Sequence, residues 1–280
     1  MMRKQFSTYF VVIAFAAIAS GCARDAVDAG ASKKSHTRLD LAKDLLLKGN
    51  IDQAEHEATE ALGYNPKNEE AYNLLGLVDF IRAVNNVRLL EQEDCLTGID
   101  AEALRSEVDR SLVDAAKDLE RATGLAPDYG EAWANRGVVA MQLREYDEAI
   151  QFLSTALAHR PRLDQIGLTR ANLGWAQFQD GNDVQAAKEL RQALQFSRGM
   201  CVANYRLGRV YFGRKEWEKA LQQFQAVVQD ASCRMQEAHL YHLKTMVRLQ
   251  QSTELPTALE KCILLAPKSC VARECSALAQ

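Results

Sequence analysis

From about residue 36 onward, apolar side chains recur three and four residues apart in short runs, and polar turns separate the runs. Leu41, Ala42 and Leu45 form one such stripe; Ala54, Ala58 and Ala61 form the next, with Pro66 behind it. This is the period of an amphipathic helix rather than the alternation of a strand. Pro127 and Pro161 close two further runs. Proline suits a helix end because it has no N–H to donate and its ring clashes with the preceding turn. The pattern predicts an all-α fold. One stretch differs: Tyr9 to Ile18 is an unbroken apolar run of ten residues, too short for a membrane-spanning helix, which needs about 20.

The runs themselves repeat. Pro127 and Pro161 lie 34 residues apart, as do Gly174 and Gly208. The clearest unit carries Trp133, Gly137, Ala149, Leu153, Ala156 and Pro161 in order. Small residues at Gly137 and Ala149 let two helices approach, while Trp133 and Leu153 fill the space between them. A second copy has Leu173, Gly174, Ala186, Leu190 and Ala193; a third has Leu207, Gly208, Tyr211, Ala220, Phe224 and Val227. This order and period resemble the tetratricopeptide repeat, two antiparallel helices A and B per unit. The resemblance implies a superhelix over residues 36–280, with about six helix pairs and a capping helix near 269–279. Unit six is degenerate, keeping Leu243, Leu255, Leu259 and Pro267. Unit two is interrupted, because Pro66 to Pro127 is 61 residues, 27 more than one period. Helical spacing at Val84, Val87, Leu90, Leu104 and Val108 predicts a helical insert at about 80–108, with a turn near Cys95–Asp100.

The start of the chain reads as an export signal over residues 1–21. Arg3 and Lys4 precede the apolar run, and Ala19-Ser20-Gly21 precede Cys22. Ala19-Ser20-Gly21-Cys22 resembles the lipobox of bacterial lipoproteins, which implies acylation of Cys22; an ordinary signal peptide with a chance cysteine is the alternative. Ala23 rather than Asp after Cys22 implies, by the same resemblance, an outer-membrane, periplasm-facing location. Residues 22–35 are small and polar, and read as a lipidated flexible tether with a reach of roughly 20 Å.

Composition narrows the functions. The chain has 280 residues, 48% of them hydrophobic and 25% charged, with a formal net charge of −3. That acidity, without a basic block, excludes an electrostatic footprint for nucleic acid. No phosphate loop, dinucleotide glycine motif, nucleophile elbow, calcium loop or HExxH occurs, so neither an enzyme, a metal nor a cofactor is expected, apart from the covalent lipid on Cys22. His239 and His242 lie three residues apart, but with no third ligand one is expected to pack and the other to face solvent. Beyond Cys22 there are six cysteines, Cys95, Cys201, Cys233, Cys262, Cys270 and Cys275. In an exported chain the last five are disulfide candidates. Cys201 and Cys233 open consecutive A helices and make the leading pair; free thiols and a metal site are the other readings.

Carried over from the family, the A-helix positions that line a concave groove select Leu77 and Phe80 in unit two and Val138 and Met141 in unit three. They select Trp175 and Phe178 in unit four, and Tyr205, Arg209 and Phe212 in unit five. The expected surface is apolar and partly aromatic, and suited to a protein partner; packing between repeats is the competing role for Trp175 and Phe178. Lipobox, tether and repeats together resemble the pilotin lipoproteins of type IV pilus systems, the PilF, PilW and Tgl group. That resemblance implies a partner in a secretin subunit, brought to the outer membrane and helped to multimerise. A general lipoprotein adaptor for cell-wall enzymes or outer-membrane protein assembly is the other reading of the same features.

Overall fold

The computed structural model describes residues 28–92, 95, 97–251 and 253–278. The export signal, Cys22 and the first part of the tether lie outside the described residues. Among the described residues there are helices and turns and no strand.

Unit one is α1 (Ala29–Leu47) and α2 (Ile51–Tyr64), and unit two is α3 (Glu69–Gln92) and α4 (Ile99–Leu125). Unit three is α5 (Gly130–Gln142) and α6 (Tyr146–Ala158), and unit four is α7 (Ile166–Gln179) and α8 (Asp183–Phe196). Unit five is α9 (Cys201–Gly213) and α10 (Trp217–Val228), unit six is α11 (Gln236–Arg248) and α12 (Leu255–Leu265), and α13 (Cys270–Ala277) follows. Short connections fold each helix back on the one before it. The A helices α1, α3, α5, α7, α9 and α11 also touch in series, so they share one face of the superhelix.

The glycines explain why each pair closes tightly. A Cβ on Gly137 would lie 2.5 Å from Leu153 Cγ, one on Gly174 2.8 Å from Leu190 Cγ, and one on Gly208 2.5 Å from Phe224 Cε1. In every case the neighbour is the large, fully buried residue of the B helix. Gly208→Ala is therefore expected to lower the melting temperature. Overpacking costs about 1–3 kcal/mol, which outweighs the roughly 1 kcal/mol of helix propensity gained over glycine. Gly124→Ala, in α4 with nothing within 4 Å of its Cβ position, is expected to raise it. Thermal unfolding of the two variants beside the parent checks both signs.

Unit two shows where the extra residues go. Gly76 faces Leu119, a separation of 43 residues, whereas Gly137 and Leu153 are 16 apart; the difference, 43 − 16, is 27. The insertion lengthens both helices, to 24 residues in α3 and 27 in α4, against 13 each in α5 and α6. The result is a long helical hairpin whose outer end reaches the last helix of the array. Ala83, Val108 and Leu112, with Phe80 and Val87 against them, supply its own apolar seam. At the turn, Gly98 has φ 83° and Cys95 φ 51°.

Among the described residues there are three disulfides, and each has at least one end in units five and six or α13. Cys201–Cys233 joins the starts of units five and six, and Cys262–Cys275 joins α12 to α13. Cys95, which stood outside the disulfide candidates of the sequence, bridges to Cys270 across 175 residues and ties the hairpin tip to the last helix. Two buried polar ties serve the ends. At the first, Asn68 Nδ2 donates to Ser35 Oγ at 2.9 Å, and Ser35 Oγ donates to the Ala61 carbonyl at 2.8 Å. At the last, Ser269 Oγ donates to Gln236 Oε1 at 2.6 Å, and Gln236 Nε2 donates to the Cys262 carbonyl at 2.7 Å.

Two expectations need correction here. Residues 29–35, read from the sequence as part of a flexible tether, belong to α1, which begins at Ala29 because the Asp28 carboxylate accepts from the Gly30 and Ala31 N–H groups and so caps the helix. In unit one the packed residues are Leu39 and Ala42, and Leu41 is exposed.

Candidate functional site

The residues singled out by repeat position do not form one continuous stripe. Leu77 lines a cavity of about 500 Å³ near the first end, with Lys43, Asn73, Tyr129 and Arg162. Phe80 packs into the seam of the unit-two hairpin. Met141 is a correction: it is buried in the core between units three and four, with Leu153, Leu173 and Ala176, and Val138 packs against the same cluster. The cause is the short side chains around it. Ala140, Ala149 and Ala176 draw the helices close enough to cover a flexible Met.

Units four to six bring the remaining candidates together. Trp175 and Phe178 on α7 have ring centroids 5.3 Å apart, and Trp175 lies 6.5 Å from Tyr205 on α9. Tyr205 lies 6.3 Å from Tyr241 on α11, and Tyr241 meets Phe212 edge-on at 5.3 Å. Phe212 in turn meets Trp217 at 5.0 Å. Except for Trp217, which opens the B helix α10, these rings lie on A helices, so they cover neighbouring parts of the shared face. All are half-buried. Phe178, Tyr205, Phe212 and Tyr241 also pack against the core of units four and five, and Trp175 against the core before it. Packing and display are therefore combined in the same side chains.

Two arginines sit in this wall. Arg209 Nη1 donates to Tyr205 Oη at 2.8 Å, and its guanidinium lies 3.9 Å from the Tyr241 ring centre and 5.5 Å from that of Trp175. Arg206 Nη1 donates to Asn172 Oδ1 at 2.7 Å and lies 5.6 Å from the Trp175 ring centre. Burial pushes the Arg206 guanidinium down to about 10, so it stays charged at neutral pH but is poorly solvated. Burial likewise raises the Tyr205 hydroxyl, against the opposing pull of Arg209.

Sequence position alone missed three members. Tyr241 lies in the degenerate unit, and Trp217 on a B helix. Arg206 occupies an A-helix position outside the groove set; the visible clue was its place 34 residues after Asn172. The histidines also depart from expectation: both are buried. Burial, followed by the proximity of His239 and Lys261, lowers His242 to about 4, so it is neutral in the folded chain. Among the described residues the one compact group of possible metal ligands is Cys201, Asp230 and Cys233. The two sulfurs are joined to each other, which removes them as thiolate ligands.

This is the fold of a tetratricopeptide-repeat superhelix, and residues 39–80 and 111–163 match the tetratricopeptide-repeat family model. Among solved structures, PilW, a widely conserved type IV pilus biogenesis factor, superposes with a TM-score of 0.68 at 18% identity, covering 85% of this chain and 96% of that one. PilF of Pseudomonas aeruginosa gives 0.64 at 17% identity, covering 89% of this chain and 99% of that one. A tetratricopeptide-repeat protein of Thermus thermophilus gives 0.53 at 15% identity, with 76% and 99% covered. At these identities the likeness is one of fold. No curated protein sequence matches the chain. Proteins of this repeat class bind other proteins, and no helix among the described residues is long and apolar enough to cross a membrane.

Proposed function

We propose that this chain is a lipid-anchored, non-catalytic protein-binding scaffold, a pilotin that brings a type IV pilus secretin subunit to the outer membrane and promotes its multimerisation. The observation that carries the reading is the run of aromatic rings across the A helices of units four to six, from Trp175 to Tyr241. Partly exposed aromatics on a rigid concave surface supply large contact area at little entropic cost, the property of binding hot spots. The choice of partner is supported by the near-complete span of PilW and PilF that this architecture covers. The physical logic is direct. A lipid holds the scaffold at the membrane, and the groove covers assembly-prone secretin surface until subunits meet.

The anchor is tested by Cys22→Ala. The variant is expected to leave the outer-membrane fraction, as soluble protein or uncleaved precursor, and secretin multimers at the outer membrane are expected to fall with it. Flotation of the variant with outer membranes at the level of the parent would contradict anchoring at Cys22.

A further inference from the structure

Among the described residues seven arginines are half-buried, and they fall into two groups. Arg38 is paired with Glu57, Arg82 with Asp52, Glu55 and Asp79, and Arg136 with Glu120. Arg162 is paired with Glu69, Glu70 and Asp128, and Arg170 with Glu189. Arg206 and Arg209 form no ion pair among the described residues. Each makes one side-chain hydrogen bond, and each bond goes to a neutral oxygen, of Asn172 and Tyr205. Glu237 is close enough to raise the Tyr205 hydroxyl, yet no ion pair joins it to either arginine.

Taking a guanidinium out of water without a counter-ion costs stability, and folded chains normally supply one. Five of the seven half-buried arginines follow that rule. The two that break it are one turn apart on α9, in the middle of the aromatic wall, with Trp175 within 5.6 Å of both guanidinium centres. A guanidinium carries five N–H donors in a fixed fork that matches a carboxylate, and here most of them are left for something outside the chain. The rings stabilise the cations while the site is empty but cannot accept a strong hydrogen bond.

We infer that Arg206 and Arg209 are the docking point for carboxylates of the bound partner, so the groove takes an acidic segment whose neighbouring aromatic or apolar residue lies on Trp175 and Phe178. The inference rests on the protein-binding reading above and specifies what is bound. The carboxylates are those of Asp and Glu side chains within the segment.

The test is a synthetic bead library of random short peptides, made once with free and once with amidated C termini, and probed with the labelled full chain in detergent. Bound beads are expected to be enriched in Asp and Glu beside aromatic residues. Enrichment that depends on the free terminus alone would overturn the inference. The selected peptides are expected to bind the Arg206→Gln/Arg209→Gln variant at least about tenfold more weakly, and to lose most of their salt dependence. The Arg206→Lys/Arg209→Lys variant is expected to recover part of the loss. Because the replaced charges are uncompensated, the Gln variant should melt no lower than the parent. Binders without acidic enrichment, no binders at all, or unchanged affinity in the Gln variant would each overturn the inference. If Trp175→Ala abolishes capture of the natural partner while the Gln variant captures it normally, the groove stands and the acidic ligand does not.

Discussion

Replacing Cys95 and Cys270 together by serine is expected to destabilise the protein more than loss of either other disulfide. The bridge spans 175 residues, against 32 and 13 for the others. In the chain-entropy description a loop of that length restricts the unfolded state by about 5 kcal/mol, and a short one by about 3. The structure adds a local effect. The outer turns of the hairpin have a thin seam, with Val87 and Ala83 on α3 against Val108 and Leu112 on α4. Beyond that seam, the Glu91 carboxyl is raised by burial and by the charge of Glu237, so the contact between hairpin and unit six carries a repulsive pair. Without the covalent tie the tip has little to hold it. Equilibrium denaturation should show the global loss, and hydrogen exchange should show the amides of residues 84–108 losing protection before those of α7 to α10. An unchanged midpoint with unchanged protection would mean that packing alone positions the hairpin.

Trp175→Ala is expected to weaken partner capture by about two orders of magnitude. Its ring touches Phe178, Tyr205, Arg206 and Arg209, so its removal opens the centre of the wall. Truncating a central aromatic anchor often costs more than 2 kcal/mol of binding, and each 1.4 kcal/mol is about tenfold. The ring also packs on the core that holds Met141 and Leu173. A stability loss of about 1–2 kcal/mol is therefore expected as well, part of the 3–5 kcal/mol of a fully buried Trp. Trp133→Ala separates the two effects. Trp133 is likewise half-buried on an A helix; its Nε1 donates to the Pro127 carbonyl at 2.9 Å and its ring packs on Phe152. That variant should lose about as much stability or more and still capture the partner. Equal loss of capture in both would assign the Trp175 effect to folding.

The helices were legible in the sequence because their signals are local and repeated. A glycine opposite a large residue sixteen positions on marks units three to five, and in unit three Pro161 also follows the second helix. Unit six was harder, since Leu243 stands one residue out of the 34-residue frame and the A-to-B turn moves from Lys215 to Gln250. With that shift went Tyr241, which the structure places in the aromatic wall beside Tyr205 and Phe212. The pairing of Cys95 with Cys270 was not legible, because it depends on how far a hairpin reaches across a superhelix. Met141 was misplaced for a related reason. A family position fixes direction from the helix axis, whereas the depth of a side chain depends on how closely its neighbours approach, and alanines bring them close here. The unpaired state of Arg206 and Arg209 could be read only once every other half-buried arginine had been given its acid.

The central claim is that the aromatic wall of units four to six binds a secretin subunit. Affinity capture from detergent-solubilised envelopes, with the anchored parent and the Trp175→Ala variant as paired baits at equal folded amounts, tests it most directly. A secretin is predicted to be the main protein retained by the parent, and to be reduced to background on the variant. Retention of other envelope proteins with no secretin, or equal retention of secretin by both baits, would contradict it.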